Sequence, residues 1–291
     1  MLRRSKSTIS REIKRNKGLR GYRPKQAHRL AKRRRTRSTR RISEEVWSWV
    51  KHCLKEDWSP EQVSNWLAKE KKFFVSHEWI YQHILKDKQA GGDLYKHLRC
   101  QKPKKKRYGA RDRRGRIPNR KSIEERPAIV EQRSRIGDWE LDTIIGKGHS
   151  GVLVSIAQRK TRLALLAKVP NKTAEAVAGA ILKLLKPLSE KVHTLTADNG
   201  KEFSLHEKIA ENLSAHFYFA HPYASWERGL NENTNGLIRQ YFPKDRDFST
   251  ITAKEVKMVM DKLNNRPRKC LGIKTPNQVF FGTNPPVALT S

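Results

Sequence analysis

His193-Thr194-Leu195-Thr196-Ala197-Asp198-Asn199-Gly200 decides the fold. A short run of strand-forming residues ends at an acid, and Asn199-Gly200 then forces a turn. The pattern predicts a strand over 193–197 that leaves the Asp198 carboxylate at the edge of a sheet. Downstream, residues 203–213 read as a helix and 216–220 as the next strand. Residues 225–241 read as a second helix. A third, over 252–265, opens on the capping box Thr252…Glu255.

Upstream, residues 139–145 and 151–157 read as two strands joined by a short glycine-containing turn, with a third strand over 163–169. Thr173 caps a helix that carries Ala176, Val177, Ala180, Ile181, Leu184 and Leu185 along one side. The order is hairpin, strand, helix, strand, helix, strand, helices. It predicts an α/β domain over 133–291 of ribonuclease H-like type, a mixed five-stranded sheet with helices on both faces.

Within that order, three acids on separate elements stand out. Asp142 lies in the first strand, Asp198 ends the fourth, and Glu232 falls on the helix over 225–241 with thirty-three residues between it and Asp198. Arg228, Glu232, Asn235 and Arg239 are spaced four, three and four, so they share one helix side; Leu230, Thr234, Leu237, Ile238 and Tyr241 take the other side and face the sheet. Three carboxylates in so basic a chain suggest two divalent metal ions acting on a nucleic-acid phosphate. Mg²⁺ prefers hard carboxylate oxygens and keeps several waters, so about three protein carboxylates suffice. Asp138 and Glu140 share the strand face of Asp142, and the residues alone leave the choice among the three open. On the polar stripe, Arg228 and Arg239 are candidates for contact with DNA.

The chain holds 63 Lys and Arg against 29 Asp and Glu, a net charge of +34. Such a charge draws polyanions, above all nucleic acid. It is uneven: residues 1–132 carry 39 basic and 14 acidic residues, residues 133–291 carry 24 and 15. No run of eighteen apolar residues is present, which argues against a membrane span. Cys53, Cys100 and Cys270 form neither a disulfide framework nor a zinc spacing, and a reducing compartment fits.

The N-terminal half reads as three parts. Residues 1–41 hold a helix at 7–16 with Ile9 and Ile13 on one side, followed by a basic arm. Ser7, Thr8, Ser10, Arg11, Lys14 and Arg15 on that helix are candidates for DNA contact, in the manner of a helix-turn-helix recognition helix. Residues 42–98 form a helical DNA-binding domain. Within it, Ser43 caps a helix bearing Val46, Trp49, Val50 and Cys53, Ser59-Pro60-Glu61-Gln62 opens a second, and Ser76 opens a third with Trp79, Ile80, His83 and Ile84. This is a second helix-turn-helix-like unit. Residues 99–132 are a basic linker, with Lys102-Pro103-Lys104-Lys105-Lys106-Arg107 too polar to fold.

The residues Gly137-Asp138-Trp139-Glu140…Asp142, Ala197-Asp198-Asn199-Gly200-Lys201-Glu202-Phe203 and Arg228-Gly229…Asn231-Glu232-Asn233…Asn235-Gly236-Leu237-Ile238-Arg239-Gln240-Tyr241-Phe242-Pro243 resemble the DDE transposases of the IS-thirty insertion-sequence family. So does Ser7-Thr8-Ile9-Ser10-Arg11-Glu12, and the resemblance covers nearly the whole chain. It implies a ribonuclease H-like catalytic core that uses two Mg²⁺ ions, with Mn²⁺ able to substitute. It also implies binding to terminal inverted repeats of double-stranded DNA, cleavage there, and strand transfer into a target site. The resemblance carries the catalytic and metal-binding roles over to Asp142, Asp198 and Glu232, and matches Arg239 to a basic residue two helical turns after the Glu. It implies a homo-oligomer on paired ends, in the bacterial cytoplasm and associated with the nucleoid. Family members have further helices ahead of Arg3-Arg4-Ser5-Lys6-Ser7, so the expectation here is a truncated first helix-turn-helix. The rival reading is a transposition-deficient DNA-binding regulator derived from such a transposase.

Overall fold

A computed structural model describes residues 5–19, 21–37, 42–99, 117–222 and 224–282. They divide into two compact units between Trp49 and Val50.

In the first unit, α1 (Lys6–Asn16) starts at Ser5, whose hydroxyl accepts from the Thr8 N–H at 3.3 Å. Two-residue strands β1 (Lys17–Gly18) and β2 (Gly21–Tyr22) pair antiparallel. They lead into α2 (Pro24–Arg37), so the basic arm expected after residue 16 is helical over this stretch. Pro24 opens the helix, and Ala27, Leu30 and Ala31 recur at helical spacing and give it an apolar side. Arg34 then donates to the Arg15 carbonyl at 3.2 Å and to the Asn16 side chain, tying α2 to the end of α1. Basic charge marks this stretch as polar; it does not prevent a helix that buries Ala27 and partly covers Leu30.

α3 (Glu44–Lys55) crosses the division between the units. The second unit continues with α4 (Pro60–Trp66), where the capping box forms as the sequence predicts: Ser59 Oγ accepts from the Gln62 N–H, and Gln62 Oε1 accepts from the Ser59 N–H. A π-helical turn at Leu67–Lys71 precedes α5 (His77–Gln89), capped by Ser76. This segment docks on the rest of the unit. Gln62 Nε2 donates to the Pro267 carbonyl at 2.7 Å, Gln240 Nε2 to the His97 carbonyl at 3.2 Å, and Lys262 pairs with Asp57 at 3.1 Å.

The basic runs at 102–107 and 111–116 lie outside the described residues. Residues 117–132, read from composition as the end of the linker, join the core instead. Ile117 is buried in it, Ser122 bridges to Phe219, and α6 (Ala128–Gln132) buries Val130.

Then comes the sheet: β3 (Asp138–Ile145), β4 (Val152–Gln158), β5 (Ala164–Val169), α7 (Ala174–Leu185), β6 (Thr194–Ala197), α8 (His206–Leu213) and β7 (His216–Phe219). Strand order is β5-β4-β3-β6-β7. β4 runs antiparallel to β3 and β5, while β3, β6 and β7 are parallel. α9 (Gly229–Tyr241), α10 (Ala253–Asn264) and α11 (Pro276–Phe281) complete the chain of elements. This is the mixed five-stranded, ribonuclease H-like arrangement expected.

Alternation on β3 sorts the two faces. Trp139 and Leu141 pack toward α7 and α8 with Ile181, Leu185, Ile209 and Leu213. Ile144 packs on the opposite face with Leu237, Ile238, Val259 and Leu263 of α9 and α10. Asp138, Glu140 and Asp142 fall on that second face. Gly137, at φ +122, fixes the start of β3; a Cβ there would stand 2.3 Å from the His193 ring. Its carbonyl accepts from the His193 and Thr194 N–H groups, which sets the β3–β6 register.

Candidate active site

Parallel pairing puts Asp138 beside Thr194 and Glu140 beside Thr196. Two residues further, the same register places Asp142 beside Asp198, just past the last residue of β6. From the turn before α9, Arg228 reaches both: its guanidinium lies 3.5 Å from the Asp142 carboxylate and 3.8 Å from that of Asp198, and donates to the Leu141 carbonyl at 3.2 Å. Asn235 Nδ2 donates to Asp142 Oδ2 at 2.8 Å. The second Asp142 oxygen accepts from the Thr143 N–H, and Asp198 closes an Asx turn onto the Gly200 N–H at 3.0 Å. Burial pushes the Asp142 carboxyl up; Arg228 draws it back, and the neighbouring charge of Asp198 raises it again.

The three acids on the β3 face have different fates. Asp138 is fully buried and held by Arg135 at 3.0 Å and Thr194 at 2.8 Å. Glu140 is fully buried, accepts from Arg159 at 2.7 Å, and accepts from the Asn231 N–H in the first turn of α9 at 3.0 Å. Asp142 keeps 23% of its side chain exposed. Glu202, which the sequence does not single out, is buried nearby; it accepts from Thr143 at 3.0 Å and pairs with Lys172 at 2.7 Å.

The other predicted site residues are placed as follows. Glu232 lies on α9 with its side chain exposed. Among the described residues, no group of three His, Cys, Asp or Glu side chains stands close enough to hold a metal ion. Two of the three acids are therefore brought together, and the third stands apart. Arg239 donates to the Ile145 carbonyl at 2.8 Å and lies 5.4 Å from the centre of the Phe248 ring, so its guanidinium is engaged by the protein. Ser7, Thr8, Ser10, Arg11, Lys14 and Arg15 are all exposed on α1.

The Asp142 and Asp198 carboxylates face a single positive charge, that of Arg228, and Asn235 Nδ2 holds Asp142. An oxygen-rich set already balanced by one cation suits a hard divalent ion. Sequence spacing reveals Arg228 and Asn235 as stripe positions but not their partners. Glu202 carries no local signal, because its contacts come from residues 30 and 59 positions away.

Over 280 residues the chain is 47% identical to the transposase for insertion sequence element IS4351 of Bacteroides fragilis, spanning 94% of this chain and 86% of that protein. It is 35% identical over 292 residues to the transposase for IS1086 of Cupriavidus metallidurans, spanning 95% and 86%. It is 35% identical over 293 residues to the transposase InsI for IS30A of Escherichia coli, spanning 96% and 76%. No protein-family model matches the chain. Among solved structures, the catalytic core domain of BIV integrase aligns at 20% identity with a TM-score of 0.38, over 50% of this chain and 93% of that one; the fold assignment rests on the strand order.

Proposed function

The chain belongs to the IS-thirty family of insertion-sequence transposases, and we propose that it cuts DNA at the ends of its element and joins them to target DNA through Asp142, Asp198 and Glu232. The observation that carries this reading is the convergence of Asp142 and Asp198, from two adjacent parallel strands, on one cationic group at the start of α9.

In the first step a water oxygen bonds to a phosphodiester phosphorus at the element's end. The P–O3′ bond breaks, leaving a 5′-phosphate on one side and a free 3′-hydroxyl on the other. That hydroxyl then attacks a phosphodiester of the target, and a target 3′-hydroxyl leaves. Divalent ions, two Mg²⁺ in this proposal with Mn²⁺ able to substitute, supply activation of the attacking oxygen and stabilisation of the leaving one. Asp142 and Asp198 would hold them, with Glu232 completing a coordination shell. Asn235 orients one Asp142 oxygen. Arg228 offsets the charge of the two aspartates and, with divalent ions held there, would be free to face a substrate phosphate. Arg239 braces α9 against the end of β3, leaving its remaining N–H groups for DNA.

The partners in this reading are double-stranded DNA at terminal inverted repeats and target, and further copies of the chain on paired ends, in the bacterial cytoplasm on the nucleoid. The exposed polar face of α1 would read the repeats. Among the described residues, no helix is long and apolar enough to cross a membrane. The regulator reading has less support, since the relatives named above are transposases.

The test is end cleavage in Mg²⁺ by Asp198→Ala against wild type. Loss of cleavage with retained DNA binding is expected; a variant that cuts as well as wild type sinks the assignment. A gel shift with inverted-repeat against scrambled DNA should show preference for the repeat.

A further inference from the structure

α9 has a second face. Gly229, Asn233 and Leu237 recur every four residues on the side turned away from Arg228, Asn235 and Arg239. Behind them lies a cavity of about 300 Å³ walled by Arg133, Arg162 and Arg268. It adjoins a larger one of about 600 Å³ that shares Asn233, Leu237, Arg268 and Cys270 and adds Arg99 and Arg266.

These guanidiniums lack acidic partners among the described residues. Arg266 donates to the Tyr241 hydroxyl at 2.7 Å and Arg268 to the Leu263 carbonyl at 3.0 Å. The Nε atoms of Arg162, Arg266 and Arg268 are buried without a partner. The acids lining the larger cavity are already used: Asp57 by His97 and Lys262, and Glu61 by Lys269. Burial and the neighbouring Arg266 push Arg268 down to about 10, and burial together with Arg162 lowers Arg133. Partly buried cations that repel one another and lack a counter-charge form a standing site for an anion.

We propose that this cleft binds a backbone phosphate of DNA, as a second contact on the opposite side of α9 from the Asp142–Asp198 pair. It rests on the reading of DNA as substrate. A duplex held there would be gripped by the same helix that carries Glu232, so α9 would sit between the cut strand and a second DNA segment. The polyanion favours this cleft because several guanidiniums can neutralise one phosphodiester bidentately while the rest meet its neighbours.

Cys270 provides the probe, since it lines both cavities and is exposed. Cys53 is buried, and burial pushes its thiol up to about 12, so it stays silent. In full-length protein carrying Cys100→Ser, the rate of maleimide labelling at Cys270 is followed with and without a linear duplex. Binding of the same duplex is read in parallel by fluorescence anisotropy across a salt series. The expected result is severalfold slower labelling when the duplex is bound, and no slowing by inorganic phosphate at equal phosphate concentration. Arg162→Gln should flatten the slope of log affinity against log salt by about 0.9, one phosphate contact. A duplex that binds yet leaves both the labelling rate and the Arg162→Gln salt slope unchanged overturns the cleft. Equal protection by inorganic phosphate overturns DNA as its ligand. A duplex that does not bind at all overturns the proposed function as well.

Discussion

Two arginine–carboxylate clusters stand two residues apart on the same face of β3, and they are built differently. Around Glu140 the contacts are short and buried: Arg159 donates to it at 2.7 Å and Asn231 donates its N–H at 3.0 Å, while Arg159 and Arg126 also reach the exposed Glu131 and Arg126 donates to Thr196. Around Asp142 the arginine stands off at 3.5 Å and shares itself with Asp198. The difference separates scaffold from chemistry. A closed, fully bonded charge pair is costly to disturb and cannot admit a ligand. A loose pair at a water-accessible edge can exchange one cation for another. The same residue types, displaced by one β repeat, thus hold α9 in place at Glu140 and leave a carboxylate open to solvent at Asp142.

The comparison breaks most sharply on activity. Asp142→Asn is expected to lower end cleavage by at least about 10³-fold, roughly 4 kcal/mol of barrier, while the melting temperature stays near that of wild type. A large fall in melting temperature would make Asp142 a second scaffold acid.

The reciprocal variant is Glu140→Ala, which leaves Arg159 buried without its closest partner. Breaking such a pair costs about 3–5 kcal/mol, on the order of 10 °C in melting temperature for a unit of this size. Calorimetric or circular-dichroism melting decides it, and an unchanged melt would remove the scaffold role.

Asn235→Ala sharpens the boundary between the clusters. The carboxamide fixes one oxygen of Asp142 without belonging to either charge pair. Its loss is expected to weaken divalent-ion binding by about 10–100-fold, measured by titration calorimetry, with little change in the apo melt.

The smallest effect belongs to a third charge pair, between an exposed histidine and a half-buried glutamate. His221 bonds Glu227 at 2.8 Å, and that hydrogen bond, with the charges of Glu227 and Glu124, raises the imidazole above its usual value. A raised histidine contributes its stability in full below about pH 6.5 and loses it as the pH rises through the folded value. An NMR titration of the ring should show an upward midpoint that moves back toward normal in Glu227→Gln, with the remainder due to Glu124.

Much of this was legible because its causes are local. The strands, the capping boxes at Ser59 and Thr252, and the turn after Asp198 follow from neighbouring residues. The helix at 24–37 and the docking of 117–132 are not legible from composition, because basic residues mask modest apolar patterns such as Ala27 and Leu30 or Ile117 and Val130. At the site, Asp142, Asp198 and Glu232 are readable as candidates; residue type and spacing leave Asp138 and Glu140 beside Asp142, and the family resemblance alone singles out Asp142. All three β3 acids share one strand face, and what distinguishes them is burial and the partners Arg135, Arg159 and Arg228.

The sequence by itself therefore determined the order of elements, the basic character and the acids worth suspecting, since these depend on residue type and spacing along one chain. Only the tertiary structure decided which acid is walled in and which is open, that Arg228 bridges Asp142 and Asp198, and that arginines with no acidic partner among the described residues gather behind α9. Those outcomes depend on β3, β6, α9 and the segments at 133, 162 and 266–268 meeting in space. Charge strength there is set by the water excluded between them, which no spacing along the chain records.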